Sequence, residues 1–380
     1  VDNTAIGASA LQSNTDGENN TASGVNALFS NTTGVQNTAS GFGALFSNTT
    51  GVQNTASGFG ALASNTNGNS NTGSGLFALF NNTTGDSNTA TGGEALFENT
   101  IGDGNTAAGN GALHGNTAGS FNSAMGGAAL FSNNTGIENT ANGEGSLFAN
   151  DTGGLNTATG MNALFRNTTG NSNTAAGMEA LFDNSTGGNN IAVGFRAGFN
   201  LTTGNNNIDI GNIGVAGESD TIRIGTQGTH TRAFVGGIFG SMVSGDAVVV
   251  SNSGQLGIVV SSARYKRDIR DMGAKSADLL KLHPVTFRYK DDPSQQRQYG
   301  LVAEEVDRVY PDLVSHDAAG KVVTVHYHEL VPMLLNEIQK LSARVAEDEQ
   351  RLSVLERKVQ AKNMKLQRCE RIAGDSERRR

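Results

Sequence analysis

Apolar and polar positions in the first half of the chain repeat with a period of 17. Asn stands at 3, 20, 37, 54, 71, 88, 105, 122, 139, 156, 173, 190 and 207 without one insertion. The unit reads N-T-A-x-G-x-x-A-L-F-x-N-T-T-G-x-x, and twelve full units run from Asn3 to Asn206. An insertion-free period means that each unit stacks on the last with fixed geometry, as in a solenoid. The unit is too short for two helices and too rich in Gly, Asn and Thr for one. It predicts two short extended segments per coil, Thr-Ala-x-Gly and Ala-Leu-Phe, joined by turns. Parallel coils about 4.8 Å apart make twelve units a rod of about 60 Å.

Places within the unit have separate physical uses. The first is always Asn, a residue that forms stacked amide ladders and tolerates turns. The fifth is always Gly, from Gly7 to Gly194, which predicts a positive backbone angle or an approach too close for a Cβ. The fifteenth is always Gly, from Gly17 to Gly204, as a tight turn requires. The ninth is Leu from Leu11 to Leu181 and Gly198 in the last unit, and the tenth is mostly Phe, from Phe29 to Phe199. Neighbouring strand residues point to opposite faces, so one row fills the coil and the other lies outside. The spacing leaves open which. An outward Phe row is an apolar stripe that a closed symmetric oligomer would cover.

After Asn207 the period stops. Short apolar runs at 208–210, 221–224, 233–235, 247–250 and 256–260 predict a β-rich neck over 207–260, with a hairpin turn at Ser251-Asn252-Ser253-Gly254. From Ser261 charge rises and glycine falls. Residues 331–366 carry apolar residues at alternating three and four spacings: Val331, Leu334, Ile338, Leu341, Val345, Leu352, Leu355, Val359 and Leu366, interrupted by Asp348 and Lys362. That is a coiled-coil seam. The resulting division is shaft 1–206, neck 207–260, an α+β domain 261–330 and a coiled-coil helix 331–370, with Arg378-Arg379-Arg380 as a solvated tail.

Composition narrows the function. The 51 glycines lack a three-residue period and only four prolines accompany them, so this is not collagen. Residues 1–206 carry a net charge of −10 and the remainder +2, which argues against nucleic acid as a partner of the shaft. A single cysteine, Cys369, forms no intrachain disulfide, so stacking or oligomerisation must supply stability outside the cell. No run of about 18 apolar residues predicts a membrane span. No ligand cluster recurs, so neither a metal nor another cofactor is expected. The chain opens directly into a repeat, as the cut end of a longer protein would. Asn-x-Thr triplets such as Asn31-Thr32-Thr33 recur with the coil and so predict a turn ladder rather than glycosylation sites. Thr and Asn alternate without a clean Thr-x-Thr row, against ice binding.

Two resemblances add to this. The Asn-Thr-Ala-x-Gly units resemble the parallel β-roll heads of trimeric autotransporter adhesins, whose repeats are usually shorter. The stretch Ser261-Ser262-Ala263-Arg264-Tyr265-Lys266-Arg267-Asp268-Ile269 resembles the opening of the intramolecular chaperone domains of endosialidase-type phage tailspikes. Leu282–Tyr289, Tyr299–Val306 and Val325–Leu330 continue the likeness in order. It implies a homotrimer and a single-turnover serine peptidase, with Ser261 as nucleophile, Lys266 as base and the cut at Val260–Ser261. Ser262 is a neighbouring alternative. This chain departs from the family in having Glu304-Glu305 where Gln often precedes the Glu; Glu304, Glu305 and His326 are candidate supporting residues. His283, His326 and His328 are alternative bases or structural residues. The serine needs a base to take its proton, and lysine serves only when burial or nearby positive charge favours its neutral form.

The expected protein is thus mainly β: a β-solenoid shaft, a β neck and an α+β chaperone ending in a coiled coil. It would be extracellular, as a phage virion tail fibre or on a bacterial surface, with a cell-surface glycan or receptor as partner. Alternatives are an uncleaved fibre with a permanent trimerisation cap, or a glycan-binding or glycan-degrading spike. The lack of a recurring carboxylate pair speaks against degradation.

Overall fold

A strand of three residues opens every repeat, from β1 (Thr4–Ile6) and β2 (Thr21–Ser23) to β12 (Ile191–Val193). These strands lie parallel and in register, Thr on Thr and Ala on Ala, in a sheet of fourteen that ends with β13 (Ile208–Ile210) and β14 (Ile222–Ile224). The computed structural model describes residues 2–236, 238, 244–251, 253–317 and 319–377. The architecture is the parallel β-solenoid expected from the period. Among the described residues no helix is long and apolar enough to cross a membrane.

Three residues per strand are enough because each coil is tied to the next at many other points. In strands such as β3 (Thr38–Ser40) and β4 (Thr55–Ser57) the central Ala faces inward and is fully buried, while the Thr before it and the residue after it face out. The second segment of the unit departs from the sequence reading. Ala-Leu-Phe is a turn, with Leu45 at φ 51° and Leu62 at φ 53°. A left-handed backbone costs an L-residue roughly 1–2 kcal/mol. Complete burial of Leu returns about 1.5–3 kcal/mol, and the Leu45 amide also donates to the Ala61 carbonyl of the next coil at 3.0 Å. Burial wins, so Leu28 through Leu181 form the core row with the alanines.

The Phe row lies outside that core, half-buried and stacked. Phe131, Phe148, Phe165, Phe182 and Phe199 follow one another at centroid separations of 5.0–5.2 Å, with planes within 10°. His114 replaces a Phe and stacks between Phe97 and Phe131. A second row, Phe42 and Phe59, is about half exposed. Phe77 touches both Phe59 and Phe80 edge-on, so the two rows share one apolar face.

Asparagine builds two ladders. Asn54 donates from its backbone and side chain to Asn37 Oδ1 (3.0 and 3.1 Å) and from the side chain to the Gly68 carbonyl (2.8 Å). At the twelfth place Asn48 Nδ2 donates to Asn31 Oδ1 at 2.8 Å. From the second coil on both rows are fully buried, so the nitrogens of triplets such as Asn31-Thr32-Thr33 are spent inside the coil and the triplets serve the ladder. The two glycine rows differ in cause. Gly41 has φ 138°, and a Cβ there would lie 2.3 Å from the Gly58 carbonyl oxygen. Gly51 needs no positive φ; a Cβ would strike Asn48 Oδ1 at 2.4 Å. Close approach to the ladder, rather than a turn angle, excludes a side chain there.

Two runs read as neck, 208–210 and 221–224, instead extend the shaft sheet as β13 and β14; β13 keeps the 17-residue offset from β12, and β14 follows β13 after 14. Beyond them β15 (Val248–Val250) pairs with β16 (Leu256–Ile258). Asn252 in the predicted turn, like the Arg378–Arg380 tail, lies outside the described residues.

The chain divides into two units, residues 1–257 and 258–380. The second holds two antiparallel pairs, β17 (Val285–Phe287) with β18 (Gln298–Gly300), and β19 (Val314–His316) with β20 (Val322–Val325). Helix α1 (Ala303–Val309) packs on the second pair, and α2 (Tyr327–Glu377) follows. At 51 residues α2 is about 76 Å long. Its first turns join Leu279, Val306, Leu313, Val314 and Val325 in a small core through Leu330 and Met333. Further along, Ile338, Leu341, Val345, Leu352 and Leu355 remain half or more exposed.

Candidate functional site

Val260 and Ser261 lie in an exposed stretch outside regular structure, just before a 3-10 turn at Ala263–Tyr265. Ser262 precedes the turn with extended angles, and Lys266 leaves it extended, its amide bonded to the Ala263 carbonyl. The turn folds the chain back over five residues. Lys266 Nζ thereby donates to Ser261 Oγ at 3.0 Å. Arg264 lies over the Tyr265 ring, its Cζ 4.7 Å from the centroid.

The other sequence candidates stand elsewhere in this unit. Glu304 and Glu305 occupy the first turn of α1, and Glu305 Oε2 lies 3.8 Å from His283 Nδ1. His326 precedes α2. Its Nε2 lies 2.7 Å from Ser315 Oγ and its Nδ1 3.4 Å from Glu329 Oε1. That contact joins β19 to the start of α2. Among the described residues, no hydrogen bond or ion pair links Glu304, Glu305 or His326 to Ser261 or Lys266.

Residues 261–315 match the family model described as chaperone of endosialidase. The chain carries this chaperone domain. The match starts at the serine that Lys266 contacts. No curated protein matches the chain. The family indicates a self-cleaving chaperone, implies trimeric assembly and points to a phage tail fibre. A β-solenoid ahead of such a domain is the layout of a fibre shaft with a C-terminal chaperone.

Sequence reasoning missed one polar contact that holds the chaperone domain together. Buried Ser276, in the 3-10 segment Gly273–Lys281, donates to Glu337 Oε1 of α2 at 2.6 Å, and Lys340 Nζ donates to the same oxygen at 2.7 Å. These bonds, that of Lys340 first, hold the Glu337 carboxyl below its ordinary range. The partners are some sixty residues apart, so no local pattern announces them. The same holds for Ser315, which no motif connected to His326.

Proposed function

We propose that the protein is a trimeric fibre whose C-terminal domain directs assembly and then releases itself by cutting Val260–Ser261. The observation that carries the reading is the 3.0 Å contact from Lys266 to Ser261. In the proposed reaction neutral Lys266 takes the hydroxyl proton, and Ser261 Oγ attacks the carbonyl carbon of Val260. The C–N bond breaks as the same proton passes to the Ser261 nitrogen, leaving an ester on Oγ. Water then hydrolyses the ester, freeing the Val260 carboxylate and restoring the hydroxyl. In a lone chain Ser261 and Lys266 are both exposed. Packing against neighbouring chains would withdraw water and favour the neutral amine that a base requires. Cleavage would then wait for assembly.

The trimer has two proposed contacts. The exposed apolar stripe of α2 forms a coiled coil, and the Phe face of the shaft turns toward the axis. A small core in the chaperone unit also favours burial against other copies. Near-identical coils could pair one repeat out of register, and a trimeriser at one end prevents this. Release leaves a shaft that resists unfolding by its barrier. A cell-surface glycan or receptor is the proposed ligand of the outer faces.

Mass spectrometry of purified, assembled protein tests the reading. A fragment ending at Val260 supports it. An intact trimer that never cuts replaces it with a permanent trimerisation cap.

A further inference from the structure

The inward column of the shaft sheet is Ala in nearly every strand, but in β13 it is Asp209. This carboxylate is 1% exposed, and neither oxygen has a hydrogen-bond partner. The surrounding sequence makes room for it. Gly198 stands where the row carries Leu, and a Cβ there would come 3.4 Å from Asp209 Oδ2. A Cβ at Gly214 would come within 3.1 Å. Leu201 takes over the interior volume and is fully buried.

The nearest charges do not pair with Asp209. Arg223 lies opposite it in β14, yet its guanidinium turns to Glu218 in a two-pronged contact of 2.6 and 2.8 Å. Glu218 repels Asp209, and Arg223 offsets this only in part. The elements on the other side offer Ala192, Gly198, Leu201 and Gly214, none of them charged. Asp209 also stands where coils of 17 residues give way to one of 14.

We propose that Asp209 is a proton-operated latch at the base of the shaft, closing the last coils when neutral and loosening them when ionised. A buried carboxylate without a donor is costly, whereas its neutral acid is tolerated. Burial first, and Glu218 second, push its carboxyl from 3.8 up to about 6. The sign follows from linkage. Between these values the closed coil holds a proton that an opened coil has released, so stability falls as pH rises across the window. Acid therefore tightens this end of the shaft, and neutral medium loosens it.

Hydrogen exchange of the full chain, corrected for intrinsic rates, reads the latch directly. Amides of residues 208–224 should open about tenfold more at pH 7.5 than at pH 5, while those around Ala90 keep a constant ratio. Asp209→Asn removes the titrating group and should abolish the difference. Asp209→Ala restores the residue of the column and should close the coil at both pH values, so it serves if the Asn variant does not fold. An unchanged tenfold difference in either variant overturns the proposal, as does wild-type opening that is equal at both pH values.

Discussion

Lys266 and Ser261 meet because a single 3-10 turn folds five residues back on themselves, placing Nζ 3.0 Å from Oγ. Ser262, one residue on, occupies the position before the turn and makes no side-chain bond to it. The contact belongs to one chain, whereas the water exclusion that the chemistry needs would come from three.

Ser261→Ala and Lys266→Ala should leave the chain whole, because one removes the nucleophile and the other its base. Ser262→Ala should still cut. Mass spectrometry after assembly checks all three. Cleavage of Ser261→Ala at the wild-type rate would remove the assignment. Uncut chains should still form trimers on a sizing column.

The two apolar rows of the shaft should respond differently. Leu79→Ala opens a cavity in the coil and should cost about 2–5 kcal/mol in denaturant melts. Phe80, Phe97 and Phe131 replaced together by Ser should instead weaken assembly, seen as a concentration-dependent loss of trimer in sedimentation. If these variants stay trimeric at high dilution, the Phe face does not line the axis.

The ladder should be brittle. Asn88→Ala leaves the Asn105 backbone amide without its acceptor, and it removes one of two donors to the Gly102 carbonyl and one of two acceptors of the Asn105 side chain. Each buried group left unpaired costs about 1–3 kcal/mol, so the thermal midpoint should fall sharply. Neighbouring glycines give a contrast. Gly41→Ala would place a Cβ 2.3 Å from backbone and should disrupt the coil, whereas Gly43→Ala meets nothing within 4 Å. Gly43 has φ 62°, so the second change should cost about 1–2 kcal/mol. Calorimetry of the two variants ranks them.

Helix α2 should carry the trimer contact of the chaperone. Leu341 and Leu355, both more than half exposed in one chain, are the residues to change. Replacing both by Ser should yield monomers in light scattering, and those monomers should not cleave if water exclusion depends on assembly. Cleavage by such monomers would show that the dyad acts within one chain.

The sequence alone determined what depends on spacing. A period of 17 without insertion fixes parallel stacking in register, and invariant Asn and Gly follow from ladders that admit no other side chain. Alternating three and four spacings likewise announce the apolar stripe of α2. The order of the motifs from Ser261 onward announced the chaperone domain. The inside and outside of the coil could not be read this way. Strand alternation separates Leu from Phe but presumes a strand, and Leu45 instead takes a left-handed turn whose cost only burial in a closed coil offsets. Likewise β14 looks like neck in sequence because its 14-residue offset from β13 breaks the period, yet backbone pairing continues through both strands. In sequence Asp209 is the polar centre of the short run 208–210. Only the tertiary structure places it in the alanine column, because burial and lost partners belong to neighbouring coils and not to the chain around the residue.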